Sequence, residues 1–286
     1  METLEEKVAY SLELLKRGER LAKALNPTNG YIVGFSGGKD SQVLLDLVKR
    51  AGVMFKAHYS VTSIDAPENV YFIRNNYPDV VFIHHRPNFF RMVEKKGLPT
   101  IWHRFCCSEL KEGIGAGSVC LVGVRAEESA KRAAYSEFEI RSRRKEHEGM
   151  RGKRTLQQVE ENEHRCIKGK DKVMLYPMLH WTEKDVWQYI DEQQLAVNPI
   201  YKDHKRVGCM FCPFAKRNEV IEWCQRYPRF KERLLQSLQA YLDRRSWNDR
   251  EELRTAENYF EWWLSGKKLN AYIAAKEQTK LPFYEK

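Results

Sequence analysis

The feature that most restricts the fold of this chain is a regular alternation of short apolar runs with amphipathic segments of helical period. Apolar runs of this length predict buried strands, and the helical period predicts helices between them. Such alternation predicts an α/β doubly wound fold, a mostly parallel sheet with helices on both faces and ligands beyond the carboxyl ends of its strands. The predicted strands are residues 31–35, 55–61, 80–84, 119–124 and 173–179, and the helices between them are 41–50, 67–76, 88–96 and 107–113.

The length of 286 residues exceeds that of a single average domain. We expect an N-terminal helix over 1–25, a nucleotide-binding α/β domain over 26–180 and a smaller helical region over 181–286. Periodicity fades over 141–172, which we interpret as an exposed, mobile basic insertion or a merely solvated loop. In the last region, Thr182 with Asp185 predicts a capping box, followed by helices at 183–193, 219–226, 230–244 and 251–264.

Charge indicates the class of partner. The 49 Lys and Arg exceed the 39 Asp and Glu, which gives a net charge of +10. Residues 141–154 hold seven basic and two acidic residues, a net charge of +5. An excess of this size attracts polyanions, either nucleic acid or phosphorylated small molecules. No apolar run is long enough to cross a membrane and the first residues do not resemble a signal peptide, so we expect a cytoplasmic protein without a membrane partner.

A glycine-rich loop, Ser36-Gly37-Gly38-Lys39-Asp40-Ser41, joins the first predicted strand to the following helix. Glycines let the backbone approach an anion, and a helix N-terminus directs amide donors and partial positive charge at it. The spacings of the Walker A and dinucleotide-binding motifs are both absent. The loop is therefore a candidate phosphate site of another kind.

This loop resembles the pyrophosphatase (PP) loop of the adenine nucleotide α-hydrolase superfamily. Members of that superfamily hold ATP while a substrate oxygen attacks the α-phosphate and pyrophosphate leaves. Five further segments extend a resemblance to the phosphoadenosine phosphosulfate (PAPS) reductase family over about residues 30–215. These segments are residues 63–68, 106–111, 123–129, 176–179 with Trp181, and 208–213.

The resemblance implies a site for ATP, or for the sulfonucleotides PAPS and adenosine phosphosulfate (APS), with Mg²⁺ assisting. It places Asp65 near the sugar or the magnesium ion, and Arg125 on the nucleotide or on the substrate anion. A guanidinium binds phosphate oxygens bidentately, although Arg125 could instead pair with Glu127 or Glu128. Lys39 and Asp40 are the candidate catalytic residues of the loop, and Cys166 is a further one because neighbouring positive charges favour its thiolate. The implied nucleotide-binding residues are Ser36, Gly37, Gly38, Lys39, Asp40, Ser41, Asp65 and Arg125.

Four of the seven cysteines form two closely spaced pairs, Cys106-Cys107 and Cys209-x-x-Cys212. Four thiols suit a [4Fe–4S] cluster or a Cys₄ zinc site. We favour the cluster over Zn²⁺ because vicinal cysteines point apart and hardly fill two corners of one tetrahedral ion. APS reductases resemble the chain in this respect. The two remaining cysteines, Cys120 and Cys224, lie in apolar patterns, where buried and inert thiols are expected.

The C-terminal region also interleaves aromatic and basic residues, which could form a base-stacking platform or could simply belong to the core. The aromatic residues are Trp247, Tyr259, Phe260, Trp262 and Trp263, and the basic ones are Arg244, Arg245, Arg250 and Arg254.

The leading functional hypothesis is ATP-dependent sulfur transfer to an adenylated substrate, similar to DNA phosphorothioation or tRNA thiolation. Its partners would be nucleic acid, gripped by the basic segment 141–154, and a protein that donates sulfur or reductant; a homo-oligomer is also allowed. Sulfonucleotide reduction is the alternative, but the family's C-terminal Glu-Cys-Gly-containing motif is absent and no cysteine follows Cys224. A third hypothesis is a nucleotide-binding or nucleic-acid-binding subunit without turnover.

Overall fold

The computed structural model describes residues 3–141, 152–154, 171–244 and 253–280, of which 152–154 and 277–280 are described by their backbone alone. The chain divides into two compact units. The first unit consists of Met1–Val61, Pro67–Ile83 and Glu112–Val207. The second consists of Thr62–Ala66, His84–Lys111 and Gly208–Lys286.

A mostly parallel sheet of seven strands, flanked by helices, confirms the predicted fold class. Its order is β3-β2-β1-β4-β7-β5-β6. Strand β1 runs parallel to β2 and β4, and β4 runs parallel to β7. Strand β5 is antiparallel to both β7 and β6. The strands are β1 Tyr31–Phe35, β2 Phe55–Val61, β3 Val81–His84, β4 Val119–Leu121, β5 Phe138–Arg141, β6 Gly152–Arg154 and β7 Lys172–Leu175.

The central strands are buried on both faces, which explains why they are continuous apolar runs. Successive side chains of a strand point to opposite faces. In β1, Tyr31 and Val33 belong to the main hydrophobic core, whereas Ile32 belongs to a smaller cluster with Cys120 and Met174. The register places Ile32 opposite Cys120, and Cys120 opposite Met174, so this second cluster runs across three parallel strands.

Helices α1 and α7 both contact α2 in the first unit. Helix α7 begins with the predicted capping box, in which the Thr182 hydroxyl accepts a hydrogen bond from the Asp185 amide. The helices of this unit are α1 Leu4–Leu25, α2 Lys39–Ala51, α3 Pro67–Asn76, α6 Ala130–Ala133 and α7 Glu183–Glu192, with 3₁₀ turns at Ala126–Glu128 and Pro199–Lys202.

The second unit is helical around its own hydrophobic core. Helix α9 contacts α4, and Phe89, Leu234 and Phe260 are among the buried residues between the helices. Its helices are α4 Phe89–Lys96, α5 Phe105–Leu110, α8 Arg217–Arg226, α9 Pro228–Asp243, α10 Ala256–Ser265 and α11 Leu269–Lys280.

Several predicted bounds are corrected. The strands predicted over 119–124 and 173–179 end at Leu121 and Leu175. The helix predicted over 107–113 begins at Phe105 and ends at Leu110, and the helix predicted over 251–264 begins at Ala256. The loss of periodicity over 141–172 does not mark the end of regular structure, because Arg141 belongs to β5 and 152–154 form β6. The rest of the basic segment lies outside the described residues. No helix in the described part of the chain is long and apolar enough to cross a membrane.

Candidate functional site

The glycine-rich loop lies at the carboxyl end of β1, where it turns sharply into α2. Gly37 has a φ of +76°, in the left-handed region that favours glycine. Its carbonyl accepts hydrogen bonds from the side-chain amides of Gln42 and Asn198, each at 2.9 Å. Asn69 donates to the Ser36 carbonyl at 3.1 Å. Buried amide side chains therefore hold the carbonyl groups of the loop from outside.

The hydroxyl groups of the loop bond mainly within the loop. The two hydroxyl oxygens of Ser36 and Ser41 are 3.2 Å apart, and Ser41 also donates to the Gly38 carbonyl at 2.8 Å. Gly38, the N-cap residue of α2, has no side chain to cap the helix. The Lys39 amide donates to the Tyr201 hydroxyl at 2.8 Å, so an anion would be bound by the remaining amides of the first turn, which have no intrahelical acceptors.

Two buried cations and a carboxylate border the loop. Lys39 is 5% exposed and Arg125 is 4% exposed. The Asp40 carboxylate binds both, at 2.7 Å from Arg125 Nε and 3.2 Å from Lys39 Nζ. Glu183 lies 3.4 Å from Lys39, and Glu127 lies 3.4 Å from Arg125. Two cations are thus paired with three carboxylates, and a phosphate here would compete with Asp40, Glu127 and Glu183 for Lys39 and Arg125.

Gly123 explains how Arg125 reaches the loop. A Cβ atom at Gly123 would lie 2.7 Å from the Asp40 carbonyl oxygen, so only glycine allows the segment after β4 to pass this close to α2. Arg125 follows two residues later and pairs with Asp40 and with Glu127. The sequence motif 123–129 thus places a guanidinium beside the loop.

Tyr201 is a site residue that the sequence analysis missed, together with Asn69 and Asn198. Its hydroxyl accepts the Lys39 backbone amide at 2.8 Å, and Lys39 Nζ lies 5.8 Å from the centre of its ring. Burial raises the pKa of Tyr201 to about 12, so the phenol stays protonated at neutral pH. The only sequence signal for these contacts was the turn pattern at Asn198-Pro199, which does not show what the turn touches.

Asp65 belongs to the second unit, with the cysteine pairs. Its carboxylate accepts the Thr62 amide at 2.7 Å, and its backbone forms an isolated antiparallel bridge with Cys209. Met210 adds a backbone hydrogen bond to Ile64 at 2.9 Å. The segment 62–66 and the Cys209 loop are therefore tied together.

The four paired cysteines lie in the same unit, half-buried and not joined in disulfides. A hydrogen bond with Cys107, then burial and the nearby charge of Cys107 and Cys209, raise the pKa of Cys106. Burial raises the pKa of Cys212, with smaller effects of Cys209 and Cys107. The two pairs, although far apart in sequence, are thus close enough to affect each other electrostatically.

Lys111 and Thr62 complete this thiol cluster. The negative charge that Cys209 carries when ionised raises the pKa of Lys111, against the opposing effect of burial. Thr62 Oγ1 lies 3.6 Å from Cys209 Sγ. Lys111 and Thr62 thus place a cationic group and a hydroxyl group beside the Cys209 thiol.

Four cysteine thiols are a donor set that a [4Fe–4S] cluster can take. In the described ranges, no three His, Cys, Asp or Glu side chains are placed to hold one metal ion. A Cys₄ zinc site needs its sulfurs about 2.3 Å from one centre, whereas a [4Fe–4S] cluster takes each thiolate on a different iron. Four neighbouring thiols fit the second requirement in their chemistry.

The remaining cysteines are placed as follows. Cys120 and Cys224 are buried, as predicted. Burial raises the pKa of Cys120 to about 11, and it also raises the pKa of Cys224. Both are poor nucleophiles for that reason. Cys166 lies outside the described residues, so its role stays a prediction.

The curated relatives are longer than this chain, which matches only a part of each. Two uncharacterised proteins of Methanocaldococcus jannaschii are 25% and 26% identical over 227 and 232 residues, which are 74% and 80% of this chain. The chain spans 42% and 51% of their lengths, about half. Sulfate adenylyltransferase subunit 2 of Sulfurovum sp. is 26% identical over 231 residues, 75% of this chain and 68% of that protein.

The chain also resembles a solved structure and matches a family model. PAPS reductase from Candida auris, in a phosphate complex, superposes with a TM-score of 0.43 at 14% identity, over 73% of this chain and 96% of that one. The model of the phosphoadenosine phosphosulfate reductase domain matches residues 30–215, which include the glycine loop, Arg125 and all four paired cysteines. The chain therefore belongs to the phosphoadenosine phosphosulfate reductase domain family.

Proposed function

We propose that this chain binds ATP in its glycine loop and adenylates an oxygen atom of a nucleic acid, as the first half of a sulfur transfer. The observation that carries the proposal is the pair of buried cations, Lys39 and Arg125, beside the N-terminus of α2, where the N-cap residue Gly38 has no capping side chain. Family membership supports an adenine nucleotide as the ligand, and sulfate adenylyltransferase subunit 2 among the relatives supports adenylyl chemistry.

In the adenylation step the substrate oxygen forms a bond to the α-phosphorus of ATP. The bond from that phosphorus to the bridging oxygen of the β-phosphate breaks, and pyrophosphate leaves with the electron pair. Three kinds of group would neutralise the negative charge that develops on the pyrophosphate: the amides of the first turn of α2, the Lys39 ammonium and the Arg125 guanidinium. Asp40 is the positioning residue, because it holds both cations through one carboxylate.

Magnesium fits this site through few protein ligands. Mg²⁺ is usually held by one or two carboxylates together with phosphate oxygens, so the absence of a three-ligand group among the described residues does not conflict with it. Asp40 and Glu183, both within 3.4 Å of Lys39 Nζ, are two candidate carboxylates, and Asp40 would exchange its ion pair with Lys39 for the metal ion. When bound, the ion would offset charge on the phosphates.

In the second half, hydrosulfide supplied by a donor protein attacks the atom that carries the adenylated oxygen. The bond from sulfur to that atom forms and the bond from that atom to oxygen breaks. AMP leaves with the electron pair, as a better leaving group than hydroxide, and the hydrosulfide proton goes to solvent. Cys106, Cys107, Cys209 and Cys212 would hold a [4Fe–4S] cluster, which when bound would supply a site for sulfur. A reducing compartment such as the cytoplasm would keep these thiols available.

The test is release of pyrophosphate from ATP and Mg²⁺ by the full chain in the presence of single-stranded DNA or tRNA. We expect Lys39→Ala to lower this rate by about 100-fold or more, as loss of a charge-stabilising donor does. Lys49→Ala is the matched control, because Lys49 is an exposed lysine at the other end of the same helix. Equal rates for the two variants would overturn the loop assignment.

Two other outcomes would replace the proposal. Sulfite released from PAPS or APS, without pyrophosphate from ATP, would establish sulfonucleotide reduction. ATP or nucleic-acid binding without either product would establish a binding subunit. A separate measurement concerns the cysteines: protein purified without oxygen should be brown and contain about four irons. A colourless preparation with one zinc ion would exclude the cluster, and Cys120→Ser should leave the iron content unchanged.

A further inference from the structure

The second unit contains an open groove of about 590 Å³ that the sequence patterns did not reveal. Three chain segments line it, residues 100–102, 212–217 and 262–268, together with Val220. Trp102 is 95% exposed at its rim, and Phe214 is 58% exposed. Large aromatic side chains gathered at an exposed surface indicate a binding site, because ordinary protein surfaces rarely expose such side chains together.

The aromatic residues of the groove are held in place by their neighbours. Trp262 donates its indole N–H to the Lys267 carbonyl at 3.0 Å, just beyond the end of its own helix α10, and this satisfies the polar edge of its ring. Trp263 donates to the Pro99 carbonyl at 2.6 Å and so anchors the segment that carries Trp102. Arg104 lies over the Phe214 ring, 5.0 Å from its centre. These contacts present aromatic surface without collapsing it into the core.

The charge of the groove has one sign. Four exposed cations, Lys216, Arg217, Lys267 and Lys268, line it, and no Asp or Glu is among the lining residues. In the part of the chain that the structure describes, none of the four forms an ion pair. The complementary ligand is therefore an anion that also offers flat apolar surface. Single-stranded nucleic acid has this combination, because its bases are unstacked and its backbone is anionic.

We propose that this groove binds a segment of single-stranded nucleic acid, with bases stacked on Trp102, Phe214 and Trp262 and phosphates paired with the four cations. Cys212 also lines the groove, so a bound strand would lie beside one thiol of the paired cysteines. The inference rests on the proposed function, since it locates the substrate of that reaction. An acidic peptide offers the charge but not the bases.

Fluorescence anisotropy of a labelled oligothymidylate of twelve nucleotides tests the groove on the full chain without ATP. Trp102→Ala and Phe214→Ala should each weaken binding about fivefold or more, as loss of one stacked base does. Tyr71→Ala is the matched control and should bind as the unmodified chain does, because Tyr71 is a 62% exposed aromatic residue of the first unit. The Trp102 ring is almost fully exposed, so its removal should leave the unfolding curve unchanged.

The cations are tested by salt. K267Q/K268Q should reduce the slope of log Kd against log salt by about 1.4, the effect of two lost phosphate contacts on a single strand. The double variant K49Q/K95Q removes the same charge from exposed lysines elsewhere and should change this slope less. The proposal would be overturned if all the groove variants bound the oligothymidylate with the affinity of the unmodified chain. Equally tight binding of a blunt duplex would also overturn it, as would full competition by polyglutamate, which would assign the groove to an acidic peptide.

The two proposals fail separately. Groove-dependent binding without release of pyrophosphate would support the groove and contradict adenylation. Pyrophosphate release that depends on nucleic acid, with groove variants that bind normally, would support adenylation and place its substrate elsewhere.

Discussion

Gly37 and Gly52 share a backbone conformation but differ in their surroundings. Their φ angles are +76° and +68°. A Cβ at Gly37 would lie 2.3 Å from Asn69 Oδ1 and 3.0 Å from the Ile73 side chain, whereas a Cβ at Gly52 would have nothing within 4 Å. Asn69 cannot move freely, because it accepts from Asn198 at 2.8 Å and donates to the Ser36 carbonyl.

Replacing each glycine by alanine separates these two effects. Gly52→Ala should lower the free energy of unfolding by about 1 kcal/mol, the cost of a left-handed non-glycine residue. Gly37→Ala should lower it by at least about 1 kcal/mol more, since buried hydrogen bonds of Asn69 must break. Urea unfolding measures both, and equal losses would show that the loop is not tightly held. ATP binding should fail only in Gly37→Ala.

Between elements, the ion pair of Lys7 on α1 with Asp185 on α7 is the contact with the clearest dependence on pH. The two charged atoms are 2.6 Å apart and both side chains are mostly buried. Burial alone would raise the pKa of Asp185, but hydrogen bonds from Lys7 and Thr182 outweigh it and lower the pKa below its ordinary value of 3.8. A depressed pKa stabilises the fold above the unfolded-state value and loses that contribution as pH falls through the folded-state value.

Asp185→Asn should therefore lower the free energy of unfolding at pH 7 by about 1–2 kcal/mol. The difference from the unmodified chain should shrink as the pH falls below about 4, where the unmodified carboxyl also becomes protonated. Urea unfolding from pH 7 to pH 3 measures it. Glu13→Gln is the control, since Glu13 is 68% exposed and 4.0 Å from Arg17, and it should change little at any pH. A constant deficit for Asp185→Asn would contradict the ionic contribution.

Elements were predictable where local pattern and burial agree. Strand β2 at Phe55–Val61 and helix α3 at Pro67–Asn76 have the bounds that their periodicity predicts. Strand β5 was missed because Glu139 and Arg141 interrupt a run of only four residues, and its pairing with β7 comes from distant sequence. Helix α11 was missed as well, and its sequence has little amphipathic character.

Contacts of the site were predictable only within one segment. The glycine loop, Ser36 to Ser41, could be predicted directly from the sequence, because the strand, the glycines and the helix follow one another along the chain. Tyr201 and Asn198 reach that loop through tertiary structure, and no local pattern shows it. Trp262 was noted as a stacking or core residue, and it lines the groove, whereas Phe260 belongs to the core. Trp247 lies outside the described residues.

For the molecule as a whole, the second unit shows why distant motifs must be considered together. It consists of three separate stretches of sequence, and Cys106-Cys107 and Cys209-x-x-Cys212 come from different ones. Thr62 and Asp65 come from the remaining stretch and contact Cys209. The family resemblance predicts that these motifs belong to one site, whereas their spacing in the sequence alone does not predict it.

Net charge is the other property of the whole chain, and it predicts how nucleic-acid binding depends on salt. The segment 141–154 supplies +5 of the net +10, mostly outside the described residues. If this segment contacts phosphates, replacing Arg143, Arg144 and Lys145 by serine should lower the slope of log Kd against log salt by about 2 for a single strand. The measurement is the fluorescence anisotropy of the same oligothymidylate at salt concentrations from about 50 to about 300 mM, over which log Kd should vary linearly with log salt.

A control of equal charge decides between a local contact and a general field. Serine at Lys49, Lys95 and Lys131 removes the same three charges from exposed positions elsewhere. Long-range attraction is screened beyond about 8 Å at physiological salt, so these changes should alter the slope much less than the loss of direct phosphate contacts. Equal slopes for both triple variants would show that the chain attracts nucleic acid by net charge alone, and the basic segment would then have no binding role of its own.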